Sequence, residues 1–484
     1  MRTIDIKDLK GESLVNFLKY KVSAYEKSDT YKNSVDGQKY YKNQHAINNK
    51  KRTGTNQEGH LVVLNGLPNV IAKDNQYAKL VDQKISYLMS NTPVVSCEDS
   101  EEYAKALQEF LDRRFMRTWS KIGKDAMNSG LGWMFVSRDE KDLLVKKINP
   151  IQVIPIWRDD EHESLDAVIR KRIATDWNDK RNEVVSKTYI EFYSGQGVTT
   201  YEVKENSDTW LPVSTQGYFK DGDNQLNWEG GKLPFIYWRY NPEEITLLSR
   251  VKTLQDLINL ILSVFGDRML EDSRNTVLVI KGYSGEDASG VRYEINQNGV
   301  IQTEGDGAVD TLNIEINAEN FETYLRILKE KLIENGRGLD AKSDKMGNSP
   351  NQLNIKSAYS DMELDANAME LEFQASFERF QEFFKMVYGY PENLVATIDF
   401  KRNVMVNEES TIQMINQSGT LLSKRTMLEH HPMVDDVDEE ESRLKDELGD
   451  APLSYENGFN FEAGVNDGDT KQKQKVLDNK AAKA

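Results

Sequence analysis

At 484 residues, 38% of them hydrophobic and 29% charged, the chain has the length of roughly two to four domains and the composition of a water-soluble protein with much exposed surface. Its one cysteine, Cys97, excludes an intramolecular disulfide and fits a reducing compartment. A formal net charge of −17 argues against a protein that grips nucleic-acid phosphates, because gripping needs lysine and arginine at the backbone. Met1-Arg-Thr-Ile-Asp-Ile-Lys7 is charged and reads as no secretory signal. The most apolar helical candidate, Leu254 to Phe265, contains Gln255, Asp256 and Asn259, so no membrane helix is expected.

Residues 1–60 are polar and read as helical in pieces, an arm in which Leu14, Phe17, Leu18 and Val22 share one face. Asn49-Lys-Lys-Arg52 is taken as a solvated or inter-subunit cluster rather than a nucleic-acid contact. Residues 61–240 predict an α+β domain, helices first. One helix runs from Gln76 to Leu88 and one from Glu101 to Met127, marked by Val81, Ile85, Leu107, Phe110 and Phe115. Pro93-Val-Val-Ser-Cys97 reads as a strand edge, not as the site of a thiol nucleophile. The period then changes to two: Trp133–Ser137, Leu143–Ile148, Gln152–Trp157, Asp166–Arg172, Val184–Tyr193, Val198–Val203, Trp210–Val213 and Phe235–Tyr240 predict short strands.

A helix is expected over residues 241–273. Leu247, Val251, Leu254, Ile258, Ile261 and Phe265 recur at threes and fours, with Asp256, Asn259 and Asp267 off that stripe. Residues 274–317 form a small β unit, with strands at 276–280, 291–295, 300–303 and 310–316 and a hairpin turn at Asn298-Gly299. A second helix, 318–336, carries Phe321, Tyr324, Leu325, Leu328 and Leu332. Residues 337–356 are a polar loop with Arg337, Lys342, Lys345 and Lys356. A long helix, 357–390, follows with Met362, Ala366, Met369, Phe373, Phe377, Phe380 and Phe384 as its stripe. Residues 391–453 predict a short strand and three short helices, and 454–484 an unstructured tail. Spacing alone is also satisfied by a helical domain with an inserted β hairpin.

Enzyme chemistry fails on specifics. A Walker A loop needs glycine where Leu226 stands and serine or threonine where Leu233 stands. Gly305-Asp-Gly307 lacks the third glycine of a dinucleotide fingerprint, and His430-His431 lacks metal-ligand spacing. No catalytic residue, metal or cofactor is assigned.

The order helix, β unit, helix, polar loop, long helix resembles the portal proteins of tailed phages, of the type found in siphophages and myophages of Gram-positive bacteria. Upstream, Tyr31, Gly37-Gln-Lys-Tyr-Tyr41, Leu64-Asn-Gly-Leu-Pro-Asn69, Gly130-Leu-Gly132, Ile148-Asn-Pro150, Ala167-Val-Ile-Arg170 and Gly231-Lys-Leu-Pro-Phe-Ile236 are similar to family blocks in the family's order. The resemblance implies a portal-type fold assembled as a ring: α+β wing (61–240), stem helices (241–273, 318–336), β clip (274–317), tunnel loop (337–356), long helix (357–390) and helical crown (391–453). Leu254, Ile258, Ile261, Phe265, Leu325 and Leu328 would pack the stem, and Arg337, Lys342, Lys345 and Lys356 would meet DNA in transit. It further implies about twelve subunits at a capsid vertex of the virion, assembled in the host cytoplasm. Implied partners are double-stranded DNA, the terminase large subunit, capsid and scaffolding proteins and a head-completion adaptor; the acidic balance suits a lumen through which DNA slides. A ring-forming adaptor without DNA passage is the alternative.

Overall fold

The computed structural model describes residues 6, 9–55, 60–65, 67–139, 142–178, 182–204, 209–221, 224–272, 277–281, 308–312, 318–340, 352–404, 408–419, 421–434 and 436–448. Two compact units divide the chain, Met1–Met405 and Val406–Ala484.

In the first unit, α1 (Gly11–Lys27) and α2 (Asp29–Tyr41) are separated by Ser28, whose hydroxyl donates to the Tyr25 carbonyl and accepts from the Tyr31 N–H. A ribbon of β1 (Thr53–Thr55) and β2 (Leu61–Val63) precedes α3 (Gln76–Met89) and β3 (Val94–Ser96). The single helix expected from Glu101 to Met127 is two, α4 (Glu101–Phe110) and α5 (Arg113–Ser129). Asp112 sits at the break and accepts from the Phe115 N–H at 2.7 Å, so it caps a new helix instead of continuing the old one.

Antiparallel strands follow: β4 (Leu131–Asp139), β5 (Asp142–Ile148), β6 (Val153–Trp157), β7 (Leu165–Asn178), β8 (Glu183–Ser194), β9 (Gly197–Val203), β10 (Trp210–Gln216), β11 (Phe219–Asp221), β12 (Asn224–Leu226) and β13 (Phe235–Arg239). They build a three-stranded sheet ordered β13-β4-β5, a five-stranded sheet ordered β10-β9-β8-β7-β6 and a two-stranded ribbon, β11-β12. Period two explains the layering. Met134, Val136, Ile236 and Trp238 face the helical core, while Leu131, Trp133, Phe235 and Tyr237 face the five-stranded sheet. The far side of that sheet is covered by Leu18 and Val22 of α1, packed on Ile154, Ile156, Ile169 and Phe192. The segment read as a polar arm is therefore part of that sheet's packing.

Next come α6 (Leu247–Asp272), β14 (Val277–Lys281) paired antiparallel with β15 (Ala308–Leu312), α7 (Ala318–Asn335) and α8 (Gln352–Tyr388). The strands expected at 291–295 and 300–303, and the Asn298-Gly299 turn, lie outside the described residues. Helix α8 begins five residues earlier than the expected Ser357, because Ile355 and Tyr359 extend its apolar stripe and are both buried. Its 37 residues span ~55 Å. Phe373, Phe377, Phe380 and Phe384 run beneath α5, with Trp119 5.9 Å from Phe373 and Phe115 5.4 Å from Phe380. Finally β16 (Thr397–Asp399) pairs with β3, so the Pro93–Cys97 strand is real but only two strands wide.

The second unit contains α9 (Glu408–Ser418), α10 (Lys424–Glu429) and α11 (Val437–Leu448). Arg425 joins the last two through Asp438 at 2.9 Å and Glu441 at 3.3 Å. The tail expected to be unstructured lies outside the described residues.

Candidate functional site

The two rods expected to form a stem pack on each other within one chain. Ile258 of α6 and Leu328 of α7 are buried, and Leu254, Ile261 and Leu325 are half-buried against the same core. Across the two rods the direct ring contact is Phe265 on Phe321, with centroids 3.9 Å apart. Ile258 has no exposed surface within the single chain. What stays open lies beside the seam: Leu260 on α6 at 43% exposure, and Tyr324 and Ile327 on α7 at 48% and 41%.

A polar ladder braces the other side of α6. Gln255, Asn259, Ser263 and Asp267 recur at fours, share a face and are fully buried. They accept from the backbone N–H groups of Tyr77 (3.0 Å), Asp74 (3.0 Å), Ala72 (3.0 Å) and Val70 (2.6 Å). Donors at 70, 72 and 74 alternate as in an extended chain. Four helical residues rise ~6.0 Å and two extended residues ~6.6 Å, so the repeats match over several rungs. Gln255 returns a bond to the Asp74 carbonyl at 2.7 Å. Gly266 permits the close approach, since a Cβ there would lie 2.9 Å from a Val70 methyl.

Two further groups lock the ladder. Asn259 donates to Nδ1 of His45 at 2.6 Å, and the His45 Nε2–H donates to the Tyr40 carbonyl at 3.1 Å, which fixes the neutral Nε2–H tautomer. Burial accordingly pushes this imidazole below its ordinary pKa. At the far end, Asp267 meets Lys50 at 2.5 Å and Arg52 at 2.9 Å. Burial alone would raise this carboxyl, but Lys50, the Val70 N–H and Arg52 hold it below the ordinary value. The Asn49–Arg52 cluster, read as solvated or inter-subunit, instead pairs within the chain at Lys50 and Arg52: an unpaired carboxylate buried on α6 would cost roughly several kcal/mol, so it recruits cations.

Of the four predicted DNA-contacting cations, two are described. Arg337 follows α7 with a left-handed φ of 49°. It donates to Asp365 of α8 at 2.8 Å. Lys356 is exposed, and it lies on α8, not in a loop. Lys342 and Lys345 lie outside the described residues. Neither the ladder nor the Asp365 contact was anticipated. For the ladder, polar residues at fours opposite an apolar stripe were the available signal.

Among the described residues, no group of three or more His, Cys, Asp or Glu side chains is placed to hold a metal ion, and no helix is long and apolar enough to cross a membrane. The arrangement is mechanical: a rod of ~39 Å for α6, fixed in rotation by its seam and in register by its ladder. A family model described as "Phage portal protein, SPP1 Gp6-like" matches residues 21–451. The "Portal protein" of Clostridium phage phiCD119 is 26% identical over 387 residues, covering 77% of this chain and 84% of the relative. The "Portal protein" of Bacillus phage SPP1 is 24% identical over 449 residues, covering 90% and 87%. With most of its length matched, the chain belongs to the SPP1 Gp6-like family of phage portal proteins, structural and non-enzymatic components of the virion.

Proposed function

We propose that copies of this chain form a closed ring of twelve at one capsid vertex, the channel through which double-stranded DNA enters during packaging and leaves at ejection. The observation that carries this reading is the braced pair of antiparallel rods, α6 and α7, with the β14–β15 pair at their far end. Rods fixed in register and rotation supply repeated walls of constant length. The net charge of −17 favours sliding over gripping. The β unit, 274–317, is read as the dock for the terminase large subunit and later for the head-completion adaptor. Capsid and scaffolding proteins surround the ring, which assembles in the host cytoplasm. Arg337, Lys342, Lys345 and Lys356 are read as cations at the axial end, making sequence-blind phosphate contacts.

Electron microscopy and native mass spectrometry of the purified full-length chain test the reading. The expected particle is a closed ring with an axial hole wide enough for duplex DNA. An open filament, or a ring whose hole excludes a duplex, would refute it; the second result would favour the adaptor without DNA passage.

A further inference from the structure

Asp365, midway along α8, is 5% exposed and takes donors from four other places in the fold. Lys84 of α3 lies at 2.8 Å, and Arg250 in the first turn of α6 reaches both oxygens at 3.0 and 2.9 Å. Arg337, after α7, lies at 2.8 Å, and the Tyr240 hydroxyl, just past β13, donates at 2.8 Å. Three cations share one carboxylate. Burial would raise Asp365, but Lys84 beside it, the Tyr240 hydroxyl and Arg250 hold it down at about 2. Lys84 is pushed below its ordinary value, first by burial and further by Arg250 and Arg337, with Asp365 opposing. The cluster therefore holds more positive charge than one carboxylate balances.

The three cations are not equally committed. Lys84 is 3% exposed, Arg250 30% and Arg337 45%. Withdrawing Lys84 would leave Asp365 without its buried partner, whereas Arg337 already reaches water and its departure relieves repulsion on Lys84. The turn that Arg337 belongs to is otherwise tightly made. Gly336, Arg337 and Gly338 donate backbone N–H groups to Leu332, Glu334 and Ile333. The Arg337 carbonyl accepts from Lys84 at 2.9 Å. Against this stands the left-handed φ of Arg337, a conformation strained for a residue with a side chain.

We propose that the Arg337–Asp365 pair is a releasable latch on the turn that ends α7, with Lys84 and Arg250 as the fixed partners that keep Asp365 ionised once Arg337 has left. Asp365 thereby positions the start of the segment read above as axial. The proposal rests on that reading only for its consequence; its test reads the turn itself, whether or not rings carry DNA.

Hydrogen exchange on the full-length chain, followed in peptides spanning residues 332–340, decides it. Arg337→Gln is expected to speed exchange of the turn's amides on the order of 5-fold, the worth of a half-exposed ion pair, with α3 and α8 unchanged. High salt should do the same to the parent protein and add nothing to the variant. Arg250→Gln takes an equal charge from the same carboxylate but should leave the turn as protected as before. Unchanged exchange in Arg337→Gln, or acceleration spread equally through α3 and α8, would overturn the latch. An unprotected turn in Arg250→Gln would do so too, by making all three cations one structural unit.

Discussion

Replacing Asp267 by Asn tests whether α6 is held in register by its polar rungs. Asn keeps a side-chain oxygen for the Val70 N–H but has no charge for Lys50 or Arg52. Removing one partner of a fully buried ion pair costs ~3–5 kcal/mol. Two features lower that figure here: Lys50 also donates to Asn69 and to the Val70 carbonyl, each at 3.1 Å, and Arg52 is partly exposed. About 2–3 kcal/mol is therefore expected. The double variant Lys50→Met, Asp267→Asn should recover part of the loss, because no cation is then stranded beside the rod. A chain with two compact units will not unfold in one step, so local hydrogen exchange is the better assay. Exchange should rise most at Val70, less at Ala72 and least at Asp74, since successive rungs lie ~6 Å apart. The depressed carboxyl gives the effect a pH signature: its stabilisation is complete above the ordinary carboxylate pKa and is lost as the pH falls toward the lower folded value. The gap between parent and variant should therefore close in acid. An unchanged Val70 amide, or a gap that persists in acid, would refute the ladder as the source of register.

Burial lowers the His45 pKa, so the stability tied to its neutral form is present above the ordinary histidine value and is lost as the pH falls below it; exchange at Asp74 should rise between about pH 7 and 5, and His45→Asn should flatten that dependence. A Cβ on Gly37 would lie 1.9 Å from the Asn128 carbonyl oxygen, which is backbone and cannot rotate away. Gly37→Ala should thus cost about 1–3 kcal/mol and detach α2 from α5, seen as a lowered melting temperature and loss of protection in α2. If the open strip on the rods meets a neighbouring copy, Leu260→Asp should leave the chain folded yet shift size-exclusion profiles from rings to monomers. Ile258→Asp should instead abolish the fold, because that position is already buried inside one chain; intact rings from Leu260→Asp would take the strip out of the interface.

How far these features were legible in the sequence depends on how far apart their determinants lie. Period-two runs from Trp133 to Tyr240 announce strands because each residue's neighbours in the pattern are also its neighbours in the sheet. The stripe of α8 is readable from Met362 to Phe384 for the same local reason. Errors came where a local signal was outvoted. Asp112 looks like one polar residue in a long helix until its carboxylate is seen capping Phe115, and Ile355 looks like a loop residue until Tyr359 is buried beside it. Two rungs of the ladder, Asn259 and Asp267, stand off the apolar stripe of α6 in the sequence, but a polar face reads as solvated until the backbone of residues 70–77 is laid along it. Asp365 had no local signature. Its donors are Lys84, Tyr240, Arg250 and Arg337, and the Lys84 contact alone bridges 281 positions of sequence. An isolated acid in the middle of an amphipathic helix is ordinarily a surface residue. That this one is buried follows from three cations arriving from α3, α6 and the end of α7, so its role is fixed by the packing of four elements and by nothing in its own turn of helix.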